Sequence, residues 1–181
     1  MTVLVLGVAL WWAAHLFKRI APGPRAALGD GGKGLVALAL VGSVVLMVLG
    51  FRWAEFVPLW EPPRFLIHVN NLLMVLAFFL FTADGMRAPV IGRMRHPQLT
   101  GLKTWAVAHL LVNGDLAGVI LFGGLLAWAV VEVIVINRAQ PVWTPKPTRP
   151  GATVKAVAGT IFAVVAVMLI HNWLGVPPWG G

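Results

Sequence analysis

The chain has 181 residues, of which 59% are hydrophobic and only 11% are charged, whereas a soluble domain usually carries about 25% charged residues. This composition excludes a water-soluble globular enzyme, and apolar runs that approach the roughly 20 residues needed to cross a bilayer predict an integral membrane protein. The net charge of +8 does not indicate nucleic-acid binding, because the basic residues lie between the apolar runs. The absence of cysteine excludes disulfides and thiol chemistry, so any metal site relies on histidine or carboxylate.

Six apolar runs predict an all-α membrane protein, a bundle of about six transmembrane helices that forms one domain over residues 1–181. In chain order the runs are Met1–Phe17, Leu35–Phe51, Phe65–Thr82, Leu99–Val112, Leu116–Ile136 and Ala152–Leu174. The first run opens without Lys or Arg, so we expect it to be retained as a helix and not removed as a signal peptide. The fourth run is short and contains Lys103, which is also typical of a re-entrant or interfacial segment.

The distribution of basic residues favours six spans over five. With six spans, only Arg52 and Arg64 of the 14 Lys and Arg residues fall on one side, and the other twelve fall on the opposite side. The positive-inside rule then predicts a protein of the bacterial inner membrane with both termini in the periplasm. The segment of residues 137–151 contains four prolines and is predicted to be an extended, semi-rigid cytoplasmic loop.

Histidines are the main candidates for function, because ionisable residues inside a membrane are expensive. The five are His15, His68, His96, His109 and His171. His15 and His109 are predicted at depths that differ by about one helical turn. Each follows a tryptophan by four residues, Trp11 and Trp105, which places indole and imidazole on one helix face. Two helices can thereby present their imidazoles to a flat aromatic ligand between them.

Structural explanations compete with this hypothesis. Each imidazole can simply donate its N–H to a carbonyl of a neighbouring helix. His68 and His171 form a second pair by depth, for which exposure at the membrane interface is the simpler explanation. Glu132 lies about one turn from the basic side, where snorkelling explains it. Arg95, at the start of the fourth predicted helix, suits an acidic partner held in bidentate fashion or lipid headgroups.

Several polar and aromatic motifs surround these residues. They are Arg95-His96-Pro97-Gln98-Leu99-Thr100-Gly101, Trp105-Ala-Val-Ala-His109-Leu-Leu-Val-Asn113-Gly114-Asp115, Leu121-Phe122-Gly123, His15-Leu16 and Trp60-Glu-Pro-Pro63. This combination resembles the NnrU family of membrane proteins over most of the chain up to about Arg138. The family is associated in bacteria with denitrification and nitrogen-oxide metabolism, and it is similar to the plant 15-cis-zeta-carotene isomerase, a membrane protein that uses haem b.

The resemblance implies a haem b site with axial ligands at His15 and His109 and a third family position at His96. With a haem propionate as the favoured acidic partner of Arg95, the expected cofactor-binding residues are His15, His109, His96, Arg95, Trp11 and Trp105. The plant isomerase has a cysteine one turn before the histidine that matches His109, where this chain has Ala106. Ligand switching through a thiolate is therefore not expected here.

Three functions from different classes remain open on the sequence. The first is a haem-binding sensor, electron carrier or accessory factor in nitrogen-oxide metabolism, whose partners are the bilayer, haem and a redox partner or nitrogen-oxide respiratory complex. The second is a haem-dependent cis–trans isomerase of a polyene, which needs an open or labile iron position. The third is a metal-free assembly or structural subunit in which the histidines only tie helices together.

Overall fold

The computed structural model describes residues 1–176 and 178. The chain folds into helices α1 (Thr2–Ile20), α2 (Pro22–Ala27), α3 (Gly31–Arg52), α4 (Leu66–Met86), α5 (Pro97–Val112), α6 (Leu116–Ala139) and α7 (Ala152–Trp173). Of these, α1, α3, α4, α6 and α7 are long and apolar enough to cross a membrane. The predicted all-α membrane fold is confirmed.

Helix α5 is shorter than the other long helices but runs through the depth of the bundle. Its 16 residues span about 24 Å at 1.5 Å per residue. At its start, the imidazole of His96 lies 2.8 Å from the side-chain oxygen of Asn137 near the end of α6. At its end, only residues 113–115 separate it from the first residue of α6. Helices α5 and α6 are therefore antiparallel neighbours, and α5 is the sixth helix of the bundle.

The bundle has two chemically different ends. Ile20, Met86, Pro97, Ala139 and Ala152 mark one end, which we call the basic end, and Arg52 and Arg64 lie at the opposite end. Since the chain has 14 Lys and Arg residues, subtracting these two leaves twelve on the side of the basic end. Between the ends, large apolar side chains face outward, which is stable only against lipid.

Neighbouring helices follow the order α3, α1, α6, α5, α4, α7 across the bundle. Helix α6 thus lies between α1, which carries His15, and α5, which carries His109. The indole N–H of Trp12 in α1 donates to the carbonyl of Gly124 in α6, at 3.0 Å. This bond fixes the two helices against each other at one level.

The predicted proline-rich segment begins later than the sequence indicated. Helix α6 continues to Ala139, so the first residues of the 137–151 segment are helical. Residues 140–149 then have no regular structure, as three prolines in this stretch favour.

Helices α1 and α3 approach closely at glycines. A Cβ atom on Gly7 would lie 2.7 Å from the backbone nitrogen of Met47, and one on Gly50 would overlap the backbone of Leu4. Small residues at such crossings allow the backbones of membrane helices to pack directly. The α1–α3 contact therefore depends on these two glycines.

We predict that Gly50→Ala lowers the thermal unfolding midpoint of the purified protein, because the added methyl group meets backbone that cannot rotate away. Overpacking of this kind costs about 1–3 kcal/mol. Gly42→Ala on the same helix is the control, since a Cβ there meets nothing within 4 Å. Equal midpoints for the two variants would contradict the close α1–α3 packing.

Candidate functional site

His15 lies in an aromatic pocket between α1 and α6. Its Nδ1–H donates to the carbonyl oxygen of Trp11, at 3.0 Å. The centre of its ring lies 4.2 Å from that of Trp11 and 4.4 Å from that of Trp128 in α6. Trp128 is only 4% exposed and packs edge-on against Trp11. The imidazole is therefore positioned by its own helix and by the buried indole of the next one.

His109 has the corresponding environment between α5 and α6. Its Nδ1–H donates to the carbonyl oxygen of Trp105, at 2.9 Å. Its ring lies 4.9 Å from Trp105 and stacks on Phe122 of α6, with ring centres 4.5 Å apart. Phe122 belongs to a π-helical segment, Val119–Gly123. Such segments are rare and frequently occur at functional sites.

These hydrogen bonds fix which nitrogen of each ring carries the proton. A carbonyl oxygen can only accept, so Nδ1 is the protonated nitrogen, and Nε2 of the neutral ring keeps its lone pair. The alternative in which each imidazole donates to a neighbouring helix is wrong for His15 and His109, since both donate to the residue four positions earlier. An Nε2 lone pair on a ring held by a backbone carbonyl is the usual arrangement of a metal-binding histidine.

The tryptophans of the two pairs pack on one hydrophobic cluster. Trp11 and Trp105 both pack against buried residues of α1, α3 and α6, which are Leu4, Val8, Met47, Ala117 and Leu125. The predicted placement of each indole beside its imidazole is confirmed. The two rings contact α6 at Trp128 and Phe122, six residues apart, which corresponds to about 9 Å along the helix. This separation in depth is larger than the one turn that the sequence predicted.

Arg95 and His96 lie apart from the two histidines. The guanidinium of Arg95 donates to the carbonyl of Gln140, and His96 contacts Asn137, so both are at the basic end. Gln140 follows Trp128 by twelve residues, about 18 Å along a helix. The structure therefore does not bring Arg95 or His96 together with His15 and His109.

His68 and His171 lie at the opposite end, where the sequence placed them. His68 is near the start of α4 and His171 is in the last turn of α7. His171 donates from Nδ1 to the carbonyl of Val167, at 2.9 Å. In the described part of the chain no aromatic ring packs on His171, so it shares the hydrogen bond of His15 and His109 but not their enclosure.

Three residues of α6 complete the site and were not predicted as part of it. Phe122 and Trp128 supply the rings, and Glu132 follows Trp128 by one turn. Among the described residues, Nε1 of Trp11, Nε1 of Trp128 and one carboxylate oxygen of Glu132 are buried without a hydrogen-bond partner. The sequence contains a spacing that could have identified Trp128 and Glu132. Trp128 precedes Glu132 by four residues, the same spacing that separates each tryptophan from its histidine.

The imidazoles of His15 and His109 are the side chains of this site that could hold a metal or haem. Within residues 1–176 and 178, no three His, Asp or Glu side chains come together as a metal-binding group. Haem requires only axial ligands from the protein, because the macrocycle supplies the others. Two imidazoles with free Nε2 lone pairs, surrounded by indole and phenyl rings, therefore fit haem by their chemistry.

Comparison with known protein families identifies the family of the chain. A family model described as "NnrU protein" matches residues 3–178 of the chain. No curated protein and no solved structure matches.

We predict that His15, His109 and His171 are protonated at Nδ1 in the ligand-free protein, and that His96 is protonated at Nε2. His96 is the internal control, because its Nε2 faces the side-chain oxygen of Asn137, which accepts. Nitrogen-15 spectra of histidine-labelled protein, assigned with single-histidine variants, measure the tautomers. A proton on Nε2 of His15 or His109 would remove the lone pair and contradict the site.

Proposed function

The chain belongs to the NnrU family, since the family model covers nearly all of it, and we propose that it binds haem b through His15 and His109. The proposal extends to the family's setting, nitrogen-oxide metabolism in the bacterial inner membrane. The bundle of apolar helices supports a multi-pass position in a lipid bilayer.

One observation carries the proposal, namely that two imidazoles on either side of α6 each point an unprotonated Nε2 away from a backbone carbonyl that holds the ring. Such a nitrogen is ready to bind iron without losing a proton. The i−4 hydrogen bond also limits rotation of each ring. His171 makes the same bond, but only His15 and His109 combine it with enclosure by aromatic rings within the described residues.

Other side chains of the site would orient and enclose the group. The unpaired indole N–H donors of Trp11 and Trp128 lie beside His15 and suit the carboxylate oxygens of a propionate. Trp105 and Phe122 pack on His109 and exclude water from its ring. Bound there, haem would supply a one-electron iron centre whose potential is set by its axial ligands and its burial.

Two histidine ligands would favour electron transfer or sensing over reaction at the iron, because they would leave no position for a substrate. The isomerase alternative needs a ligand that leaves. Ala106, the residue one turn before His109, is fully buried and carries no group that can replace the imidazole. We therefore place the protein as an electron carrier, sensor or accessory factor that serves a redox partner in the membrane.

We predict that His15→Ala and His109→Ala each lower the haem content of the purified protein by at least about tenfold. Loss of a residue that only orients a metal-binding side chain typically lowers the affinity for the metal 10- to 100-fold. Loss of the metal-binding side chain itself should lower the affinity for haem at least as much. Absorption spectra of the oxidised and reduced protein, normalised to protein concentration, measure the content.

His171→Ala is the matched control, because His171 makes the same hydrogen bond to its own helix. It should keep its haem, as should His68→Ala. If His68 and His171 prove necessary while His15 and His109 are dispensable, the ligand assignment is wrong. If wild-type protein with haem supplied during expression shows no Soret band, the metal-free structural function replaces the proposal.

We predict that the basic end faces the cytoplasm. The test introduces single cysteines into this naturally cysteine-free chain, at Val142, which is 85% exposed at the basic end, and at Glu61, which is exposed at the opposite end. An impermeant thiol reagent added to intact spheroplasts should label Glu61→Cys, and should label Val142→Cys only after the membrane is opened. The reverse pattern would invert the topology.

A further inference from the structure

A second polar site lies at the basic end, where the proline-rich segment folds back over α4. The backbone N–H of Arg149 donates to the carbonyl of Arg87, at 2.9 Å. The ammonium of Lys146 pairs with the carboxylate of Asp84, at 3.1 Å. These contacts enclose a pocket, called here the basic-end pocket, whose polar and aromatic lining is Asp84, Arg87, Arg95, Trp143, Lys146 and Thr148.

The pocket carries an excess of positive charge. Its lining has three cations and one carboxylate, which leaves two positive charges uncompensated. The carboxylate side chain of Asp84 is only 10% exposed and is engaged by Lys146. Arg87 and Arg95 make no ion pair with any carboxylate of the described residues. Both guanidinium groups are therefore available to an anion from outside the chain.

Arg95 lies at the pocket with some of its hydrogen-bond donors unused. One of its terminal nitrogens donates to the carbonyl of Gln140 at the end of α6. Its Nε is buried and has no hydrogen-bond partner within the described residues. An unpaired buried N–H costs about 1–3 kcal/mol, more on a charged group, so this atom needs an acceptor.

The backbone conformation at Arg87 favours glycine, which indicates that the arginine side chain has a role of its own. Arg87 ends α4 with φ of 60°, in the left-handed region, where glycine is the usual helix-ending residue. Holding a residue other than glycine there costs on the order of 1 kcal/mol. Glycine would remove the strain, but it would also remove one of the two unpaired cations of the pocket.

We propose that the basic-end pocket binds a phosphate group through Arg87 and Arg95. The planar guanidinium matches the geometry of phosphate oxygens and binds them in pairs. The pocket lies just beyond the ends of the apolar helices, at the level of lipid headgroups. The group is supplied either by an anionic lipid or by free phosphate. The exposed side chain of Val142 and the indole of Trp143, both beside the pocket, are of the kind that enters a membrane interface.

Phosphate binding at the basic-end pocket does not depend on haem binding, and it gives Arg95 a different partner from the propionate that the sequence suggested. The guanidinium bonds to Gln140, about 18 Å along α6 from the Trp128 that contacts His15. A phosphate at the basic end is the anion within its reach.

The test measures thermal unfolding of the full-length protein in neutral detergent with added phosphatidylglycerol, phosphatidylcholine or inorganic phosphate. Phosphatidylglycerol should raise the unfolding midpoint more than phosphatidylcholine. In Arg87→Gln/Arg95→Gln, the concentration for half of the effect should rise at least about tenfold, since two charge-assisted contacts are lost. Stabilisation by inorganic phosphate as well would identify a free anion as the source, whereas its absence would identify the lipid.

The matched control is Arg93→Gln/Arg138→Gln, which removes the same charge from exposed positions outside the pocket. An equal loss in this control would show general attraction to the basic end and would overturn the proposal. So would a wild-type protein that no phosphate compound stabilises. If the first double variant does not fold, exposed Arg87 alone is replaced, and a severalfold loss is expected. If Arg95→Gln lowers the haem content and leaves stabilisation by phosphatidylglycerol unchanged, the partner of Arg95 is a haem propionate and the phosphate proposal is wrong.

Discussion

The hydrogen bond from an imidazole Nδ1 to the carbonyl four residues earlier is the interaction on which the site depends. In hydrocarbon, a polar group without a partner costs several kcal/mol, so a histidine inside a bundle must find one. By finding it on their own helices, His15 and His109 leave their Nε2 atoms without a hydrogen bond to a neighbouring helix. The arrangement satisfies the donor and leaves the acceptor nitrogen open. His171 makes the same bond, and the aromatic rings that pack on His15 and His109 set these two residues apart.

Helix α6 contacts both of these histidines. It lies between α1 and α5, presents Trp128 to His15 and Phe122 to His109, and contains a π-helical segment at the second contact. The bond from Trp12 to Gly124 holds α1 against this segment. Because the segment widens the helix locally, it affects which side chains of α6 face each neighbour. The aromatic enclosure of both imidazoles thus depends on a single helix.

Local patterns in the sequence predicted much of this, and non-local packing accounts for the rest. Hydrophobic runs and basic residues gave the helices and the two ends, and the four-residue spacing gave the contacts of Trp11 with His15 and Trp105 with His109. The order of the helices was not predictable, because lipid-facing surfaces of similar composition carry no information about which neighbour they meet. The depth difference between His15 and His109 was underestimated for the same reason. The fold-back of Lys146 onto Asp84 joins residues 62 positions apart, which no local pattern encodes.

The central proposal is that His15 and His109 would together hold haem. The low-temperature electron paramagnetic resonance spectrum of the oxidised, haem-loaded protein tests it most directly, because the spin state of ferric haem reports how many strong ligands the iron has. The account predicts a low-spin spectrum of six-coordinate iron with two nitrogen axial ligands. A predominantly high-spin spectrum, which signifies an open or weakly filled axial position, would contradict it.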